Sequence, residues 1–172
     1  RGKTMSLLVS VHDLMNRPGQ MREVEFDHVL DEAIGTEVVA VPAGATTEIS
    51  LRLESVHEGV LVTGEVFATA ETQCSRCLDS MSLEVEVDFQ ELFAYSSQSD
   101  EDLEVINEHV DLEQVLIDSV VLNLPFQPVC SKDCLGLCSE CGIRLDENTE
   151  HSHEKPVDPR FSALQGLASK ED

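Results

Sequence analysis

Tryptophan is absent, and the 172 residues include one Tyr and six Phe. Aliphatic side chains must therefore dominate any core this chain builds. Positive charge is also scarce. Eleven Lys and Arg face 34 Asp and Glu, for a net charge of −23. No Lys or Arg stands between Arg76 and Lys132, a stretch that holds 13 acidic residues. Such a surface repels phosphate backbones at long range. It favours basic partners such as ribosomal proteins, or serves solubility alone.

Long apolar runs are missing too. None approaches the ~18 residues of a membrane span, so no membrane association is expected. The apolar run Met5–Val9 is too short for the core of a secretory signal, which makes the cytoplasm the expected location. The motifs of catalysis are equally absent. There is no H-E-x-x-H, and no H-x-E leading to P-C-x-x-C, so an open catalytic zinc site is not expected. Gly2-Lys3-Thr4 has neither the glycine nor the strand that must precede it in a phosphate loop, and it is a chance match. These gaps point to a non-enzymatic protein with no small-molecule substrate.

The length suits one domain, with at most a small appendage. Much of the chain reads as strand. Leu7, Val9 and Val11 alternate, and Arg17-Pro18-Gly19-Gln20 marks a turn. Residues 36–41 (T-E-V-V-A-V) predict a strand, and Pro42 to Ala45 a turn. Ile49, Leu51 and Leu53 alternate with polar partners. After the turn at His57-Glu58-Gly59, residues Val60, Val62, Gly64, Val66 and Ala68 follow at period two. Leu83, Val85, Val87 and Phe89 alternate with Glu84, Glu86, Asp88 and Gln90. That is the pattern of a half-buried antiparallel strand with an acidic outer face.

Residues 112–123 predict a helix. Asp111 is read as its N-cap, and Gln114 as the second member of a capping box. Val110 and Val115 take the staple positions, and Pro125 and Pro128 follow the end. Ser96 to Asp102 reads as a polar loop. Asp158-Pro159 is expected to open a short helix carrying Phe161, Leu164 and Leu167. The expected fold class is α+β: an antiparallel β-meander or barrel-like core with a few helices, then a C-terminal Cys-rich zinc-ribbon-like segment. Residues 1–128 form the β-rich core ending in the helix, and 129–172 the metal segment and a short C-terminal helix, in one structural unit.

Six Cys without a signal argue against a disulfide framework and for metal ligation. Cys74-Ser75-Arg76-Cys77 falls between two predicted strands, the position of a zinc knuckle. Cys130, Cys134, Cys138 and Cys141 form the second group, with His151 and His153 ten and twelve residues beyond Cys141. In Cys138-Ser139-Glu140-Cys141-Gly142 the glycine is expected to remove a Cβ clash after the turn, and Gly136 to loosen the chain between the pairs.

Soft ligands at spacings of two to four residues suit tetrahedral, structural zinc. Two pairings stay open. One gathers Cys130, Cys134, Cys138 and Cys141 around a single zinc and leaves Cys74 and Cys77 as thiols. The other builds a ribbon from Cys74, Cys77, Cys138 and Cys141, with Cys130, Cys134, His151 and His153 as a second site. A redox dithiol would need a thiolate at a helix N-terminus in a βαβ unit, whereas Cys74 follows a strand in a meander. Direct nucleic-acid binding would have to rely on Arg76, Lys132, Arg144 and Lys155.

Read in order, L-M-N-R-P-G at 14–19, C-S-R-C-L at 74–78, L-N-L-P-F-Q-P-V-C at 122–130, C-L-G-L-C-S-E-C-G at 134–142 and D-P-R-F-S-A-L at 158–164 resemble the YceD family. Its members are known as large ribosomal RNA subunit accumulation proteins. The resemblance implies a role in 23S ribosomal RNA accumulation or processing and no catalytic activity. It also implies a link to the large-subunit ribosomal protein L32, whose gene often neighbours the family's own. The family pattern marks all six cysteines, and many relatives carry further cysteines where this chain has His151 and His153. The expected partner is a ribosomal protein or a pre-50S particle. A zinc-dependent nucleic-acid-binding regulator is the alternative.

Overall fold

The computed structural model describes residues 7–96 and 103–153. Eight strands and one helix lie within them. The strands are β1 (Leu8–Ser10), β2 (Met21–Val29), β3 (Ile34–Gly35), β4 (Val39–Val41), β5 (Thr46–Ser55), β6 (Gly59–Gln73), β7 (Ser80–Ala94) and β8 (His109–Asp111). The helix α1 spans Glu113–Asn123.

β6 and β7 carry the architecture. They pair antiparallel along their full 15 residues, from Gly59↔Ala94 to Gln73↔Ser80. The other edge of β6 is shared. β5 takes its first half, from Ser55↔Val60 to Glu48↔Phe67. β4 takes its far end at Val39↔Thr72, and β3 follows β4. β2 closes the series against β5, from Met21↔Glu54 to Val29↔Thr46. The sheet curls into a half-barrel.

Period-two patterning decides the faces. Ile49, Leu51 and Leu53 of β5, Val60, Val62 and Val66 of β6, and Val85, Val87 and Phe89 of β7 are buried on the concave side. Glu48, Glu65, Glu84, Glu86 and Asp88 stand exposed on the convex side. The concave side is filled by α1, through buried Val115, Leu116 and Val120, and by the two-stranded ribbon β1–β8 with Val9 and Val110.

Three expectations change. Residues 36–38 form a turn in which the Val39 N–H donates to the Thr36 hydroxyl at 3.2 Å, and the strand begins only at Val39. No strand was expected where β2 runs. The helix starts one residue later than the capping pattern indicates. Leu112 occupies the cap position, and Asp111 ends β8. The Asp111 carboxylate still accepts the Glu113 N–H at 3.1 Å, whereas the Gln114 amide donates forward to Asp118 at 2.8 Å instead of closing a capping box. Residues 97–102, which hold most of the polar loop, and the short helix expected after Asp158 lie outside the described residues.

Candidate metal centres

The turn between β6 and β7 is the first cysteine knuckle. The Cys74 N–H donates to the Asp79 carbonyl at 2.8 Å, and the Leu78 N–H donates to the Cys74 carbonyl at 2.9 Å. The second knuckle repeats this wiring. The Cys138 N–H donates to the Ile143 carbonyl at 2.8 Å, and the Gly142 N–H to the Cys138 carbonyl at 2.9 Å. Leu78 and Gly142 occupy equivalent places, and both have left-handed backbone, at φ 62° and 73°. A Cβ at Gly142 would meet nothing within 4 Å. The glycine therefore serves its positive φ, not relief of a clash as expected from sequence.

Such turns aim backbone N–H groups at sulfur. The Arg76 N–H lies 3.4 Å from Cys74 Sγ. The N–H groups of Cys77 and Cys130 hold the Cys74 thiol down to about 6. The N–H groups of Glu140 and Cys141 do the same for Cys138, again to about 6. At Cys77 the Asp79 N–H lowers the thiol, but burial and the neighbouring sulfurs push it up to about 12. Burial also raises Cys134. Thiols this close resist ionising together unless a cation neutralises them.

Chain segments far apart in sequence are drawn to the first knuckle. The N–H and hydroxyl of Ser75 both donate to the Pro128 carbonyl, at 2.8 and 2.9 Å. This delivers Cys130 and Cys134. Cys74 Sγ lies 3.9 Å from Cys134 Sγ, and Cys77 Sγ lies 3.7 Å from Cys130 Sγ. Cys74, Cys77 and Cys134 are buried. Gly136 is clamped against this turn rather than loosening the chain. The Leu137 N–H donates to the Arg76 carbonyl at 3.0 Å, and a Cβ on Gly136 (φ 78°) would sit 2.8 Å from that oxygen.

The second centre forms beside it. His151 Nε2 lies 3.2 Å and His153 Nε2 lies 3.3 Å from Cys141 Sγ, with the two nitrogens 2.9 Å apart. The Glu140 carboxylate faces His153 Nδ1 at 3.4 Å. Carboxylates commonly take this place beside metal-binding imidazoles. Arg144 pairs with Asp79 and ties the two knuckles together.

The ligand atoms of Cys74, Cys77, Cys130 and Cys134 lie within 4.8 Å of one another, and so do those of Cys138, Cys141, His151 and His153. All six cysteines are free thiols. A tetrahedral metal bound about 2.3 Å from each sulfur spaces the sulfurs about 3.8 Å apart. The two sulfur separations at the first centre, 3.9 and 3.7 Å, match that figure. The structure thus brings together all eight residues singled out from the sequence, in two sets of four. Neither pairing left open by the spacing is the one formed: each knuckle anchors its own centre.

Two of the four basic residues considered for nucleic-acid binding are engaged within the fold. The Arg76 guanidinium donates to the carbonyls of Lys132 at 3.2 Å and Cys134 at 2.8 Å. Arg144 is held by Asp79, and Lys155 lies outside the described residues. Among the described residues no helix is long and apolar enough to cross a membrane.

The family model of the large ribosomal RNA subunit accumulation protein YceD matches residues 62–168. The match opens in β6 and takes in every candidate ligand. An uncharacterized protein of Mycobacterium tuberculosis is 42% identical over 96% of this chain and 83% of its own length. One from Mycobacterium leprae is 36% identical over 94% of this chain and 77% of its own. The uncharacterized protein YlbN of Bacillus subtilis is 22% identical over 95% and 97%. No solved structure matches the chain. With a family model spanning both knuckles and relatives aligned along nearly the whole chain, the protein belongs to the YceD family of large ribosomal RNA subunit accumulation proteins.

Proposed function

We propose that this protein is a non-enzymatic ribosome biogenesis factor. It supports accumulation and processing of 23S ribosomal RNA in the cytoplasm by binding a basic ribosomal protein or a pre-50S particle. The L32 protein is the first candidate. The family match over residues 62–168 carries this reading. The charge of −23 supports a basic protein partner over direct contact with RNA phosphates.

In this reading the ion at both centres is zinc. Four thiolates suit it at the first, and two thiolates with two imidazoles suit it at the second. Each set of four protein ligands fills a tetrahedron and leaves no coordination position for a substrate, as in structural sites. The metals hold the segment after α1 onto the β6–β7 turn and so set the shape that a partner meets.

Depleting the protein from its own bacterium is expected to lower mature 23S RNA and the ratio of 50S to 30S particles. Sucrose-gradient profiles with RNA blots provide the measurement. Unchanged profiles and normal 23S levels would defeat the proposal.

A further inference from the structure

The convex face of the half-barrel has no covering layer among the described residues, and its residues line up in register. One row runs Asp27–Glu48–Phe67–Glu86 across β2, β5, β6 and β7. The next runs Glu25–Ser50–Glu65–Asp88. Directly opposed side chains on a sheet have Cβ atoms about 5 Å apart. The Phe67 ring is thus flanked on both sides by carboxylates, in a shallow groove of about 420 Å³ that Glu48, Thr69, Glu84 and Glu86 help to line.

Two features make this arrangement unlike an ordinary solvated face. Phe67 is 38% exposed at an outward position of the central strand, where it gains nothing from the core. Among the described residues of these four strands, the basic side chain at an outward position is Arg52, and it is paired with Glu54 at 2.8 Å. The like charges of the two rows repel one another across the strands. Arg52 stands two rows from Phe67, opposite Glu23, so no cation of the sheet lies in either of these two rows. A guanidinium or ammonium group over Phe67 would gain both the ring face and the flanking carboxylates. A phosphate backbone would be repelled.

We infer that this convex face is the docking surface for an extended Arg- or Lys-rich polypeptide segment of the partner, anchored by one cationic side chain over Phe67 between Glu48 and Glu86. Successive outward rows of a sheet are spaced like alternate residues of an extended chain, about 6.5–7 Å apart. A segment with basic residues at alternate positions therefore meets one row after another. The choice of a basic polypeptide rests on the ribosomal role proposed above.

The test uses the full metal-loaded chain, isotopically labelled, and a synthetic ten-residue peptide of alternating Arg and Ser at near-physiological salt. Amide shifts are expected to move at 25–27, 48–50, 65–69 and 84–88. The Glu48→Gln/Glu86→Gln pair and Phe67→Ala are each expected to weaken binding about tenfold. Removing the same charge elsewhere, with Glu147→Gln/Glu150→Gln, is expected to weaken it less than twofold. Should Phe67→Ala disturb the fold, Phe67→Leu and the carboxylate pair decide.

No binding, shifts centred on another surface, or equal weakening by the control pair would overturn the docking surface. That failure would leave the ribosomal reading standing. Normal 23S levels on depletion would overturn the ribosomal reading and leave the peptide result intact.

Discussion

A strong chelator is expected to unfold residues 129–153 while leaving the half-barrel standing. That segment contains no helix or strand beyond a single bridge, Leu137↔Arg144. Only Cys134 and Gly136 are buried within it. Burial of so little surface cannot offset the cost of ordering about 25 residues, roughly 1–2 kcal/mol each for backbone alone. Structural zinc contributes about 10–16 kcal/mol in small peptides, which covers a large part of that deficit. The main core has no such dependence, because its buried cluster contains none of the ligands. Amide exchange before and after chelation measures the difference. Protection should vanish over 129–153 and at the 74–79 turn, and persist in β5, β6 and the middle of β7. Unchanged exchange in the segment would show that its fold owes nothing to metal.

The two centres are expected to differ in what their loss costs. Cys134 is 4% exposed, packs with Cys74 and Cys77, and belongs to the centre that joins α1's outgoing chain to the central hairpin. Cys134→Ala opens a cavity at a buried position and leaves three crowded thiols without their ion. A loss of at least about 3 kcal/mol in unfolding stability is expected, in the range for breaking a buried metal or charge network. Cys141 is exposed, and its centre holds only the 138–153 loop. Cys141→Ala should release that loop with less than about 1 kcal/mol lost from the global transition, as for other exposed segments that open locally. Denaturant titration read by far-ultraviolet circular dichroism follows the half-barrel in both variants. Equal effects would mean that burial does not rank the centres.

Most of the sheet was legible because its inner positions alternate cleanly. Ile49, Leu51 and Leu53, and Val85, Val87 and Phe89, each face a buried core at every second residue. β2 was not legible for a physical reason. As an edge strand its inward positions are only half-buried, so it tolerates Arg22 and His28 beside Val24 and Phe26. That mixture dilutes the period-two signal.

The eight ligands were readable from residue type and spacing, which report local chemistry. Their partition was not. It depends on contacts such as Ser75 with Pro128 and Arg76 with Leu137, whose partners lie more than fifty residues apart. Local knuckle geometry explains why each C-x-x-C stays intact. It is silent on which distant pair completes each tetrahedron.

The count of metal ions per chain tests that partition most directly, by native mass spectrometry on freshly purified protein. The wild type is expected to carry two zinc ions, Cys74→Ser one, Cys138→Ser one, and the combined variant none. A combined variant that still carries one ion would mean Cys74 and Cys138 share a site, and a wild type with fewer than two would contradict the paired centres outright.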